Sequence, residues 1–243
     1  MYKNKPVILA TKHQKEEAIR PVFESELGCS IYIPAQYDTD QFGTFTGEIP
    51  RKLSAYETLI QKAKVAAQQF GYEYAIASEG SFGPHPQLYF APSDTELMAF
   101  VDLKNDLIIS EYEISTATNY GHLDITLQDG YGDFLTRVKF PDHALIVRSL
   151  DDNNSFLKKG VCEYQQLELA IQNAFKYNHI VRLETDMRAM MNPLRMEVIK
   201  VLAIKLVKRI QQECLMCNTP GFGSVSHHVC TASFVALLGF SKN

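Results

Sequence analysis

A chain of 243 residues, 46% hydrophobic and 21% charged, holds enough apolar material for a sizeable core and has no biased tract. Its formal net charge of −4 argues against the broad basic field of a generic nucleic-acid binder. No segment reaches the ~20 apolar residues of a membrane span, and the apolar run in the opening MYKNKPVILATKH is too short for a signal peptide. The expectation is therefore a cytoplasmic protein with no nucleic-acid and no membrane partner. Self-association as a homodimer stays open.

Residues 5–10 form an apolar run of strand length, followed by the polar turn TKHQK. Ala18, Ile19, Val22, Phe23 and Leu27 then recur at helical spacing, and Gly28 closes that helix. CSIYIPA reads as a second strand and QYDTDQFGTFTGEIPRKL as a long polar loop. Ser54 opens a helix with Leu59, Ile60, Ala63, Ala66, Ala67 and Phe70 along one side, ended by Gly71. The stretch YAIASEGSFGPHP predicts a short strand over residues 74–77 that stops at Glu79 and a glycine turn, delivering the carboxylate to an edge.

LMAFVDLKNDLIISEYEIS reads as a hairpin turning at Lys104-Asn105-Asp106. A strand at 144–149, a helix at 163–177 and the strand HIVRLETD follow, and Asn192-Pro193 supplies an N-cap and first residue for a helix over 194–210. This alternation predicts an α/β fold, a mixed sheet flanked by helices, over residues 1–212. Residues 213–243 form a separate tail containing Cys and His, zinc-ribbon-like or irregular.

Four polar clusters fall at ends of predicted elements. Lys12 and Lys15 sit between the first strand and its helix, where free N–H groups and two ammonium groups suit a phosphate; a solvated lysine turn is the plainer reading. Glu57 is either a site carboxylate or the far half of a Ser54-x-x-Glu57 capping box, and Lys62 lies one turn further on. Glu79 is either a ligand-facing acid or a loop carboxylate. Asp186, Arg188 and Arg195 lie between a strand end and a helix start, where arginines suit phosphate recognition and where Asp186 could equally hold an arginine in a salt bridge.

Taken in order, these clusters resemble the superfamily of non-canonical purine nucleoside triphosphate pyrophosphatases (inosine/xanthosine triphosphatase and Maf-like). ATKHQK keeps the threonine and second lysine of that family's opening turn, with Lys12 where asparagine is usual. ETLIQKAKVAA keeps Glu57, Lys62, Ala63 and Ala66, and IASEGSFG keeps one acid, Glu79, of the usual pair. The likeness covers residues 5–118 and 180–210. ASEGSFGPHP and TDMRAMMNPLRM resemble, more closely, a bacterial family of uncharacterised function.

The resemblance implies a Mg²⁺-dependent (or Mn²⁺-dependent) hydrolase acting on unusual nucleotides. Glu57 and Glu79 would share the metal and catalyse, and Lys12, Lys15, Lys62, Asp186, Arg188 and Arg195 would bind the nucleotide or another phosphorylated small molecule. With one acid missing, a non-catalytic nucleotide- or phosphate-binding module is the alternative.

Five cysteines read as thiols or metal ligands. Cys29 and Cys162 are expected to be buried thiols. Cys214-x-x-Cys217 is half of a zinc knuckle, to which His227 and Cys230 could add the remaining ligands.

Overall fold

The computed structural model describes residues 1–35, 37, 53–153 and 155–223. Two sheets organise it. The first is mixed, with strand order β2-β1-β3-β4-β5, built from β1 (Pro6–Ala10), β2 (Ser30–Tyr32), β3 (Tyr74–Pro84), β4 (Pro92–Asp102) and β5 (Leu107–Ser115). Strands β2, β1 and β3 run parallel because helices α1 (Glu16–Leu27) and α2 (Ala55–Phe70) return the chain between them. The hairpin connections place β4 and β5 antiparallel beyond β3.

The helices end where their sequence dictates. Gly28 and Gly71 are left-handed at +64° and +72°, and each backbone N–H returns to its own helix. Asn192 caps α5 (Pro193–Gln211), its side chain accepting from the Arg195 N–H, with Pro193 at the first position. Helices α1 and α5 bury Ile19, Phe23, Leu202 and Leu206 against Leu9, Ile76, Met98 and Phe100 on one face of the sheet. Helix α2 covers the other face, packing Leu59, Ala63 and Ala67 onto Ile8, Ala75, Ala77 and Ala99. Burying each large side chain contributes about 1.5–3 kcal/mol.

Residues 119–191 build what the sequence did not announce: a second, wholly antiparallel sheet ordered β6-β9-β7-β8. It comprises β6 (His122–Ile125), β7 (Leu145–Ser149), β8 (Leu157–Val161) and β9 (Val181–Thr185). Its own core sets Leu145, Val147, Val181 and Leu183 against α3 (Gly132–Arg137) and α4 (Tyr164–Ala174). The expected strands at 144–149 and in HIVRLETD and the expected helix at 163–177 are present. Short β6 and lysine-bearing β8 carry too few apolar residues to signal themselves.

Strand β3 departs most from expectation. Instead of stopping at Glu79 it runs on to Pro84, Gly80 pairing with Glu96 and Gly83 with Ser93. Cys29 is buried as expected, whereas Cys162 is exposed. Among the described residues, no helix is long and apolar enough to cross a membrane.

Candidate functional site

The site lies where β1 ends and β3 continues. The last pair between them is Ala10 with Ala77, so Ser78 onward projects past its neighbour at the carboxyl edge of the parallel strands. After Ala10 the chain reverses through His13 and Gln14, two consecutive non-glycine residues in the left-handed region at +65° and +59°. The reversal turns Lys15, the N-cap of α1, inward. Its ammonium is buried, 3.2 Å from Ser78 Oγ and 3.3 Å from Glu96 Oε2, while Lys12 stays exposed.

Alternation along the strands decides which groups meet. Ser78, Gly80 and Phe82 share the α1/α5 face with their cross-strand partners Met98, Glu96 and Asp94. Glu96, fully buried, bridges two cations: its other oxygen accepts from Arg195 Nε at 2.6 Å. Arg195, in the first turn of α5, also donates to the Met187 carbonyl, and its guanidinium carbon lies 5.1 Å from the Phe82 ring centre. Phe82 in turn stacks on Tyr120 at 5.6 Å.

Gly80 is required by this arrangement, since a Cβ there would fall 2.2 Å from Glu96 Oε1 and 2.5 Å from Arg195 Nη2. Asp94, two residues along the same face, hydrogen-bonds Glu96; burial first, then the Glu96 charge, push its carboxyl up to about 8. Its Oδ1 is buried and has no partner among the described residues. Burial likewise pulls the Lys15 ammonium down to about 8, against the opposing pull of Glu96.

Glu79 faces the opposite way. It pairs with Lys62 of α2, whose ammonium also donates to the Ser78 carbonyl at 3.0 Å. Lys15 and Lys62 therefore close on the same strand end from the two faces of the sheet.

Glu57 does not join them. Its Oε2 accepts from the Ser54 N–H at 2.9 Å and the Ser54 hydroxyl at 2.7 Å, and its own N–H donates back to Ser54 Oγ. This is the complete capping box, exposed to solvent, and it corrects the expectation that Glu57 and Glu79 turn towards a common metal. The reason is local: the pair lies three positions apart, so the cap closes without any tertiary contact.

Asp186 and Arg188 follow the salt-bridge reading. Asp186 is fully buried at the end of β9, accepting from the Gly160 N–H, the Arg188 N–H and the Arg188 guanidinium. These bonds tie β8 and β9 together; Met187, between the two residues, gives its carbonyl to Arg195 and so links the second sheet to the site.

Sequence reasoning missed Asp94 and Glu96. The available signal was PSDTELMAF, in which two acids spaced by two share a face with Met98 and Phe100. Cys214 and Cys217 lie in a hairpin after α5, while His227 and Cys230 lie outside the described residues. Among the described residues no three His, Cys, Asp or Glu side chains gather as a metal-holding group.

The fold aligns with the crystal structure of protein VC0702 from Vibrio cholerae at 10% identity and a TM-score of 0.37, over 84% of this chain and 93% of that one. No curated protein matches the chain. The family model described as a domain of unknown function (DUF6671) matches residues 62–234, and the chain belongs to that family.

Proposed function

We propose that the chain is a binding module for a phosphorylated small molecule of nucleotide type, seated at the carboxyl edge of β1 and β3. One observation carries the reading: a local surplus of positive charge in a protein of net charge −4. Lys15, Lys62 and Arg195 meet Glu79 and Glu96 there, and burial and the Glu96 charge push the Asp94 carboxyl towards its neutral form, which tilts the cluster towards positive charge. Lys12, exposed at the rim, lies beside the start of α1. The likeness to the nucleoside triphosphate pyrophosphatases supports a phosphate at this edge. Binding is preferred over Mg²⁺-dependent hydrolysis because Glu57, the proposed partner of Glu79 on a metal, is occupied in its capping box.

The test is thermal shift of the full chain with inorganic phosphate, pyrophosphate and a nucleotide panel, with and without Mg²⁺ or Mn²⁺, beside an assay for pyrophosphate release. A ligand at 100 times its Kd adds about 2.7 kcal/mol and raises the melting temperature accordingly. Lys12→Ala should weaken that shift. No shift with any phosphorylated ligand overturns the proposal; metal-dependent pyrophosphate release replaces it with the hydrolase.

A further inference from the structure

Helix α5 opens with backbone donors that need partners. Pro193 has no N–H, the Arg195 N–H goes to the Asn192 side chain, and the Met196 N–H goes to the Asn192 carbonyl. The donor left over, on Leu194, is satisfied from outside the helix: it reaches His143 Nε2 at 3.2 Å. His143 lies immediately before β7 and is 4% exposed. The chain beside it is pinned to the same junction, the Ala144 N–H donating to the Met191 carbonyl at 3.1 Å and the Asp186 N–H to the Ala144 carbonyl at 2.9 Å.

An imidazole that accepts at Nε2 carries its proton on Nδ1. His143 Nδ1 is buried and makes no hydrogen bond of ordinary geometry among the described residues, so a charged ring would gain no firm partner there. The charges acting on the ring are Lys139 and Asp142 of its own loop. Arg195, the first charged residue of α5, and Asp186, bound through its backbone to Ala144, are already engaged with Glu96 and Arg188. Burial, then the Lys139 charge, hold the imidazole below its ordinary 6.5, against the Lys139 carbonyl and Asp142.

We propose that His143 is a proton-operated latch on the start of α5. Neutral, it holds the Leu194 N–H and so fixes the turn that carries Arg195. When a solvent proton takes the Nε2 lone pair, the ring can only donate, and a cation faces the positive end of a helix. The ring and the turn then separate, and Arg195 loses the backing that aims it at Glu96. The latch gives the cluster an acid-side control distinct from Asp94 and Lys15, whose values lie near 8. It rests on the packing around Arg195 and holds whether or not this edge binds phosphate.

The test is native-state hydrogen exchange of the full chain, comparing the Leu194 amide with that of Leu202 in the middle of α5 after correction for intrinsic rates. Between pH 7.5 and pH 5.5 the protection of Leu194 should fall roughly tenfold more than that of Leu202, because each released ring takes up one proton with the ordinary value of 6.5. His143→Gln keeps an acceptor near the Nε2 position and cannot ionise, so it should remove this pH dependence. Ring-nitrogen NMR of the wild type at pH 7.5 should find the His143 proton on Nδ1. The proposal is overturned if Leu194 tracks Leu202 across the range, if the variant keeps the wild-type pH dependence, or if the proton resides on Nε2.

Discussion

Gly80→Ala tests whether the Glu96 bridge is as tightly built as its geometry implies. The added methyl would sit 2.2 Å from Glu96 Oε1 and 2.5 Å from Arg195 Nη2. Both are tips of flexible side chains, which in solvent would swing aside cheaply. Here they are 0% and 3% exposed, and Glu96 also holds Lys15. Displacing Glu96 loosens two ion pairs, and displacing Arg195 also breaks its bond to Met187. Overpacking a core costs roughly 1–3 kcal/mol, and outright breakage of a buried ion pair roughly 3–5, so about 3 kcal/mol is expected. At about 2–4 °C per kcal/mol for a protein of this size, the melting temperature should fall by roughly 6–12 °C. Gly83→Ala is the control. It lies on the same strand with nothing within 4 Å of the added Cβ, and should change stability by no more than about 0.5 kcal/mol. Urea unfolding and thermal melts of both variants give the comparison. A Gly80→Ala melt matching the wild type, or equal losses in the two variants, would refute the close approach.

Glu96→Gln removes the anion between Lys15 and Arg195 and strands both cations in the interior, for an expected loss of about 3–5 kcal/mol in urea unfolding; a loss below about 1 kcal/mol would mean that water already reaches the pair. Asp94→Asn tests the raised carboxyl. A folded-state value of about 8 against an ordinary 3.8 means that the native state keeps a proton the unfolded chain has lost, so this group's stabilisation is full below pH 3.8 and disappears as pH rises through 8. Asparagine cannot ionise, so the variant should gain stability relative to wild type between pH 5 and pH 8 when urea midpoints are compared; a difference independent of pH would show that Asp94 is ionised throughout.

The framework of the first sheet was legible because its signals are local. Apolar repeats at 3.6-residue spacing, the Ser54 and Asn192 caps and the Gly28 and Gly71 stops each act within one turn of helix, and the observed helices match them closely. The glycines of β3 misled for the same reason. A Ser-Gly-Ser-Phe-Gly run reads locally as a turn, but Gly80 is there because two side chains from elsewhere in the chain pass over it. Sequence proximity also made Glu57 ambiguous, and the nearest partner, Ser54, won it.

The buried charges were hidden by a different cause. A carboxylate on a strand reads as solvent-facing unless the opposite layer is known, and Glu96 is roofed by groups from the start of α1 and the start of α5, elements at opposite ends of the chain. Lys15 and Arg195 were chosen from the sequence as phosphate ligands, yet each already holds a protein carboxylate. These two statements are compatible only if the cluster keeps positive charge after its internal pairing. The raised Asp94 carboxyl supplies that condition, because its neutral form tilts the cluster towards positive charge. The anion affinity of this edge should therefore weaken as pH rises through about 8, and more steeply because Lys15 begins to lose its proton over the same interval. A phosphate affinity that held constant from pH 6 to pH 9, after allowance for the ligand's own titration, would place the anion somewhere other than this cluster.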